Sequence, residues 1–153
     1  MEIVAIILAA GKGTRLKSKL PKPLHNIGGR PMLAWSLDAA IAANVSRSIT
    51  VLPPQSKQIQ DWLDGRDFCI QRKPLGTGHA VLATAPDLTN FDGVALIMFA
   101  DTPLVTADTL NRLVSSLDTS TSIAVLGFET SDPHGYGRLV TDSSGYLTRI
   151  VED

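Results

Sequence analysis

Ile3-Val4-Ala5-Ile6-Ile7-Leu8-Ala9-Ala10-Gly11-Lys12-Gly13-Thr14-Arg15-Leu16 decides the fold. The first six residues form an unbroken aliphatic run rich in β-branched side chains. Such a run reads as a strand covered on both faces, the situation of a strand inside a parallel sheet. Glycine stops it, and small residues let backbone amides approach a ligand while Lys12 and Arg15 bring positive charge. A strand running into a glycine-rich basic loop suits an anion held beyond the carboxyl end of a sheet.

Two common phosphate loops fail on this stretch. A Walker A loop needs Ser or Thr directly after Gly-Lys, where Gly13 stands. The dinucleotide fingerprint needs a third glycine where Leu16 stands and an acid about 20 residues on. No acid occurs between Glu2 and Asp38.

Downstream, strands and helices alternate. Pro31 to Asn44 recurs at helical spacing, with Trp35 expected in the core. Ser48 to Leu52 reads as a strand, Pro54 to Leu63 as a helix, Phe68 to Gln71 as a short strand and Gly78 to Ala85 as a helix. Val94 to Phe99 reads as a second fully buried strand. Thr106 to Leu117 reads as a helix capped by Thr106 with Thr109, Leu110, Leu113 and Leu117 inward, and Ser122 to Phe128 as a further strand. The fold class expected is α/β: a Rossmann-like, mostly parallel sheet with helices on both faces. From Gly137 the pattern becomes an antiparallel hairpin, Arg138 to Thr141 and Tyr146 to Val151 around Ser143-Ser144-Gly145. Residues 1–153 are expected to form one domain, incomplete because nothing follows to cover the hairpin.

Composition excludes several classes. With 44% hydrophobic and 19% charged residues the chain fits an ordinary globular protein. Ile3 to Ala10 is too short to span a bilayer, and Glu2 stands where a secretory signal would carry basic residues, so a cytoplasmic protein with no membrane partner is expected. One cysteine, Cys69 between Phe68 and Ile70, reads as a buried small hydrophobe. Six basic residues, Lys12, Arg15, Lys17, Lys19, Lys22 and Arg30, face only Glu2 in the first 37 positions, although the net charge is −1. They are either a solvated loop or a local anion site. Without interleaved aromatics a small phosphorylated ligand is favoured over nucleic acid.

Asp101 follows an apolar strand at the sheet's carboxyl edge. It is either a turn residue before Thr102-Pro103 or a hard oxygen ligand for a metal that bridges phosphates. His25, His79 and His134 have no ligand spacing and receive no role.

Leu8 to Leu16 continued by Leu20-Pro21-Lys22-Pro23-Leu24 resembles the signature of the sugar-nucleotide pyrophosphorylases. Gln71 to Ala80, Ala100-Asp101-Thr102-Pro103-Leu104, Gly135-Tyr136-Gly137-Arg138 and Ile150-Val151-Glu152 follow in that family's order. Within it the chain is similar to the N-terminal uridylyltransferase domain of the bifunctional bacterial enzymes of UDP-N-acetylglucosamine synthesis. Their β-helix acetyltransferase domain has no counterpart here. The resemblance implies that UTP and N-acetylglucosamine 1-phosphate are joined with release of pyrophosphate, with Mg2+ as cofactor. Leu8, Ala9, Ala10, Gly11, Gly13, Gln71, Gly76 and Thr77 would bind the nucleotide, Arg15 and Lys22 would act as catalytic residues, and Gly137 and Glu152 would bind the sugar. Asp101 would hold the metal; the family's second ligand, a later asparagine, has no counterpart in this chain.

By themselves Gly76-Thr77-Gly78 can be a turn into a helix, Gly137 a tight turn and Glu152 an exposed acid. Phe99-Ala100 depart from the tyrosine and glycine frequent in relatives. Two rival readings are a nucleotide-binding module without turnover and a transferase of this fold using another nucleotide or sugar. Self-association stays open, through an uncovered hairpin that pairs between copies.

Overall fold

The computed structural model describes residues 1–11 and 13–152. Lys12, one of the two charges expected in the first loop, lies outside them. The chain divides into two compact units, Met1–Ser116 and Leu117–Asp153.

The first unit is built on β1 (Glu2–Leu8), whose Val4, Ala5, Ile6 and Ile7 are 0–2% exposed. After β2 (Asn26–Ile27), β3 (Arg30–Pro31) and helix α1 (Met32–Ala42) come β4 (Arg47–Leu52), α2 (Lys57–Leu63), β5 (Phe68–Ile70), α3 (Thr77–Leu82), β6 (Gly93–Phe99) and α4 (Ala107–Ser115). The sheet order is β5-β4-β1-β6, and every neighbouring pair is parallel. Helices cover both faces, as the alternation implies. On one face Ala5, Ile7 and Leu52 pack with Leu33 and Leu37 of α1, Ile59 and Leu63 of α2 and Leu110 of α4. On the other, Ile6 and Val51 meet Ala80 and Val81 of α3. Thr106 caps α4, its hydroxyl accepting the Thr109 N–H at 3.3 Å.

Four expectations need correction. Strand β6 is not fully buried: Leu96 and Met98 face the core, but Ile97 and Phe99 are 47% and 44% exposed. Among the described residues it pairs only with β1, and α3 covers the β1–β4 part of that face. Ser122 to Phe128 forms no strand. After an Asx turn at Asp118, whose Oδ1 accepts the Ser120 and Thr121 N–H groups, this segment finds no ladder, and β-rich composition alone cannot supply one. Trp35 is only half-buried; its indole N–H donates to the Ile27 carbonyl at 2.9 Å and Arg30 lies over its ring. It thereby holds the short β2–β3 hairpin, whose Gly28 and Gly29 both have positive φ. Finally, α4 stops at Ser115, before Leu117.

Cys69 is half-buried in β5, and desolvation pushes its thiol up to about 11, with the nearby Asp87 charge adding to the rise. The thiolate is the reactive form. Alkylation at pH 8 should therefore run at least about tenfold slower in the folded protein than in urea; equal rates would contradict this.

The second unit carries β7 (Arg138–Thr141) and β8 (Leu147–Val151), an antiparallel pair with an irregularity between Val140 and Thr141. Asp142 closes the turn, its Oδ1 accepting the Ser144 and Tyr146 N–H groups. Among the described residues no helix is long and apolar enough to cross a membrane.

Candidate nucleotide-binding site

Hydrogen bonding continues just past the strand ends. Ala9 donates to the Val51 carbonyl at 2.9 Å, Gln71 to Leu52 at 2.8 Å and Ala100 to Leu8 at 3.1 Å. The loops after β1, β5 and β6 are thereby fixed at one edge of the sheet, the carboxyl edge where open parallel sheets bind ligands. Between them lies a cavity of about 470 Å³. Leu8, Ala9, Ala10 and Gly11 supply one wall, Gln71, Pro74, Gly76 and Thr77 a second, and Phe99, Ala100 and Asp101 a third, with Lys22 and Pro23 at the side. Seven of the eight expected nucleotide residues line it, together with Lys22 and Asp101.

Among the described residues, the charges that line the cavity are one pair. Lys22 Nζ lies 2.5 Å from Asp101 Oδ2, joining residues 79 positions apart. Lys22 opens a 3-10 turn, Lys22–Leu24, between Pro21 and the buried Pro23, so its backbone is held firmly. Gly13 does not line the cavity but lies close against the Lys22 stem. It has φ +58°, and a Cβ there would sit 2.8 Å from the Lys22 Cβ. Gly13→Ala is expected to cost about 1–2 kcal/mol through the left-handed backbone alone, read by urea unfolding. It should also weaken triphosphate binding by pushing the Lys22 stem. Unchanged stability and affinity would remove Gly13 from this role.

Arg15 lies elsewhere. It sits on an exposed 3-10 turn, Thr14–Leu16, outside the cavity wall. Gly137 and Glu152 belong to the second unit, where they adjoin: a Cβ on Gly137 would lie 3.6 Å from Glu152 Oε2.

A divalent cation fits the donor set in a limited way. No cluster of three metal-ligating side chains occurs among the described residues. Mg2+ commonly takes only one or two carboxylates and completes its octahedron with substrate phosphates and water. Asp101 beside a cavity of this size satisfies that pattern.

Sequence reading left five wall residues without a role: Pro23, Pro74, Ala80, Ala100 and the half-exposed Phe99. It also overlooked His79, whose Nδ1 lies 3.2 Å from Gln71 Nε2.

The profile of the MobA-like NTP transferase domain matches residues 5–145. The chain belongs to this family. Relatives include the bifunctional protein GlmU of Maricaulis maris, 48% identical over 150 residues, and that of Parvibaculum lavamentivorans, 45% over 152. Each alignment covers 97% of this NTP transferase chain and 33% of the relative, so the chain spans about a third of their length. Among solved structures, Rv0371c of Mycobacterium tuberculosis in complex with manganese superposes with a TM-score of 0.61 at 23% identity, over 75% of this chain and 59% of that one. A nucleotidyl transferase of Methanothermobacter gives 0.60 at 20%, over 76% and 58%. At such identities the structural likeness establishes the fold.

Proposed function

We propose that this chain is the nucleotide-holding part of a uridylyltransferase that joins UTP and N-acetylglucosamine 1-phosphate to UDP-N-acetylglucosamine, releasing pyrophosphate. The observation that carries the reading is the convergence of the β1 loop, Gln71, Lys22 and Asp101 on one cavity at the sheet's carboxyl edge. The similarity to GlmU proteins supports the choice of substrates.

In this reading the backbone after β1 and the Gln71–Thr77 loop hold the nucleoside, leaving the triphosphate toward Lys22 and Asp101. A phosphate oxygen of the sugar phosphate attacks the α-phosphorus in line, the bond to the bridging oxygen breaks, and pyrophosphate departs. Such transfers rest on positioning and charge stabilisation, with no covalent protein nucleophile required. Lys22 supplies positive charge for phosphate oxygens, and Arg15, exposed and outside the wall, is assigned to the phosphates that leave as pyrophosphate. Mg2+ held by Asp101 would neutralise charge on the phosphates and orient them. Gly137 and Glu152, adjacent in the hairpin, are proposed to contact the sugar.

Titration of UTP, ATP, GTP and dTTP with Mg2+, followed by pyrophosphate release on adding the sugar phosphate, tests this. Selective UTP binding is expected; equal affinity for all four would overturn the base assignment. A second reading, binding without turnover, is favoured by Asp101 being the one carboxylate at the cavity among the described residues, and would give UTP binding with no pyrophosphate.

A further inference from the structure

Gln71 is 5% exposed, yet its side chain forms part of the cavity wall. Its Nε2 lies 3.0 Å from the Gly76 carbonyl and 3.2 Å from His79 Nδ1. A carbonyl oxygen can only accept, so the amide atom facing Gly76 has to be the nitrogen, and the amide's orientation follows from chemistry alone. The Gly76 carbonyl also accepts the Ala80 N–H at 3.1 Å, which ties it to the start of α3. The second amide hydrogen is left for His79 Nδ1. That nitrogen must accept, which places the ring proton on Nε2.

One polar atom of Gln71 remains. Its Oε1 takes no hydrogen bond from any described residue, and it is not sealed off: the one sealed, unpaired side-chain atom among them is Thr50 Oγ1. Gln71 lines the cavity. The wall therefore offers an acceptor at this point, and the donors that would otherwise compete for the ligand are occupied.

We propose that His79 is a specificity-determining positioning residue: by accepting from Gln71 Nε2 it holds Oε1 toward the ligand, so that the site favours a base whose ring edge carries an N–H. This rests on the reading of the cavity as a nucleoside triphosphate site. A uracil-type ring nitrogen donates and is matched. A cytosine-type ring nitrogen presents a lone pair to Oε1 and is rejected. His79 does not line the cavity, so it acts through Gln71 and touches no ligand. Protonation of Nδ1, or loss of the ring, would leave the amide held by Gly76 alone.

The test compares UTP and CTP binding by calorimetry in the 153-residue chain and two variants. The wild type is expected to favour UTP. His79→Leu should lower the UTP-to-CTP preference roughly three- to tenfold, the scale of one lost hydrogen bond, whereas His79→Asn, whose carbonyl can replace Nδ1, should restore most of it. A mere packing role would lower stability in both variants and leave the ratio alone. No UTP preference in the wild type would sink the base reading itself. A preference that survives intact in His79→Leu would overturn the role of His79 and leave the base reading standing. Independently of any nucleotide, 15N spectra of the neutral His79 ring should show the Nε2–H tautomer; the Nδ1–H tautomer would overturn the proposal.

Discussion

Asp101→Asn is expected to lower metal-supported pyrophosphate release by about 10³-fold, on the scale of removing a principal electrostatic contact to a transferring phosphoryl group. The substitution keeps the size while removing the one carboxylate that the described residues place in the cavity wall. Folding should hardly change. The Asp101 side chain is 42% exposed, and its pair with Lys22 is of the exposed kind that contributes about 0–1 kcal/mol. A melting temperature within a few degrees of wild type, alongside loss of Mn2+ binding in the presence of UTP, is the expected pattern. If the variant binds Mn2+·UTP as the wild type does, Asp101 is a turn residue and the metal seat lies elsewhere. In a chain that binds without turnover, the Mn2+ measurement alone decides.

What was legible in the sequence was local. The run Ile3 to Leu8 has no polar interruption, and the protein buries it from both faces, because a central parallel strand has helices above and below. Thr106 as a cap was legible because the cap is a contact over three residues. The same logic misread Val94 to Phe99: an unbroken apolar run looks alike whether or not a layer covers each face, and here Ile97 and Phe99 stay open. Ser122 to Phe128 failed for a related reason, since a strand exists only where another strand pairs with it. The β2–β3 hairpin was readable and missed: Gly28-Gly29 between short extended pairs is a strong turn signal. In the site, glycine spacing pointed to the β1 loop and the apolar run pointed to Asp101. Nothing local could reveal that Lys22 meets Asp101 across 79 positions, or that His79 turns back onto Gln71.

The Lys22–Asp101 pair has a consequence for metal loading. The ammonium sits 2.5 Å from Asp101 Oδ2, one of the two carboxylate oxygens a cation could use. A cation on the same carboxylate would be repelled by the ammonium, so the two compete for Asp101. Triphosphate offers the ammonium new partners, which couples metal binding to nucleotide arrival. Lys22→Met, which keeps the aliphatic stem packed against Gly13, should therefore act in opposite directions. Mn2+ affinity of the nucleotide-free protein should rise by up to about fivefold, the worth of an exposed ion pair. Pyrophosphate release should fall by about 10²–10³-fold through loss of a charge that stabilises the transferring phosphates. Electron paramagnetic resonance of free Mn2+ checks the first and a coupled pyrophosphate assay the second. An affinity for Mn2+ that is unchanged or weakened would mean that Lys22 does not compete for Asp101, whatever happens to turnover. The opposite signs are the useful part, because a variant that merely unfolds the loop would lose both metal binding and activity together.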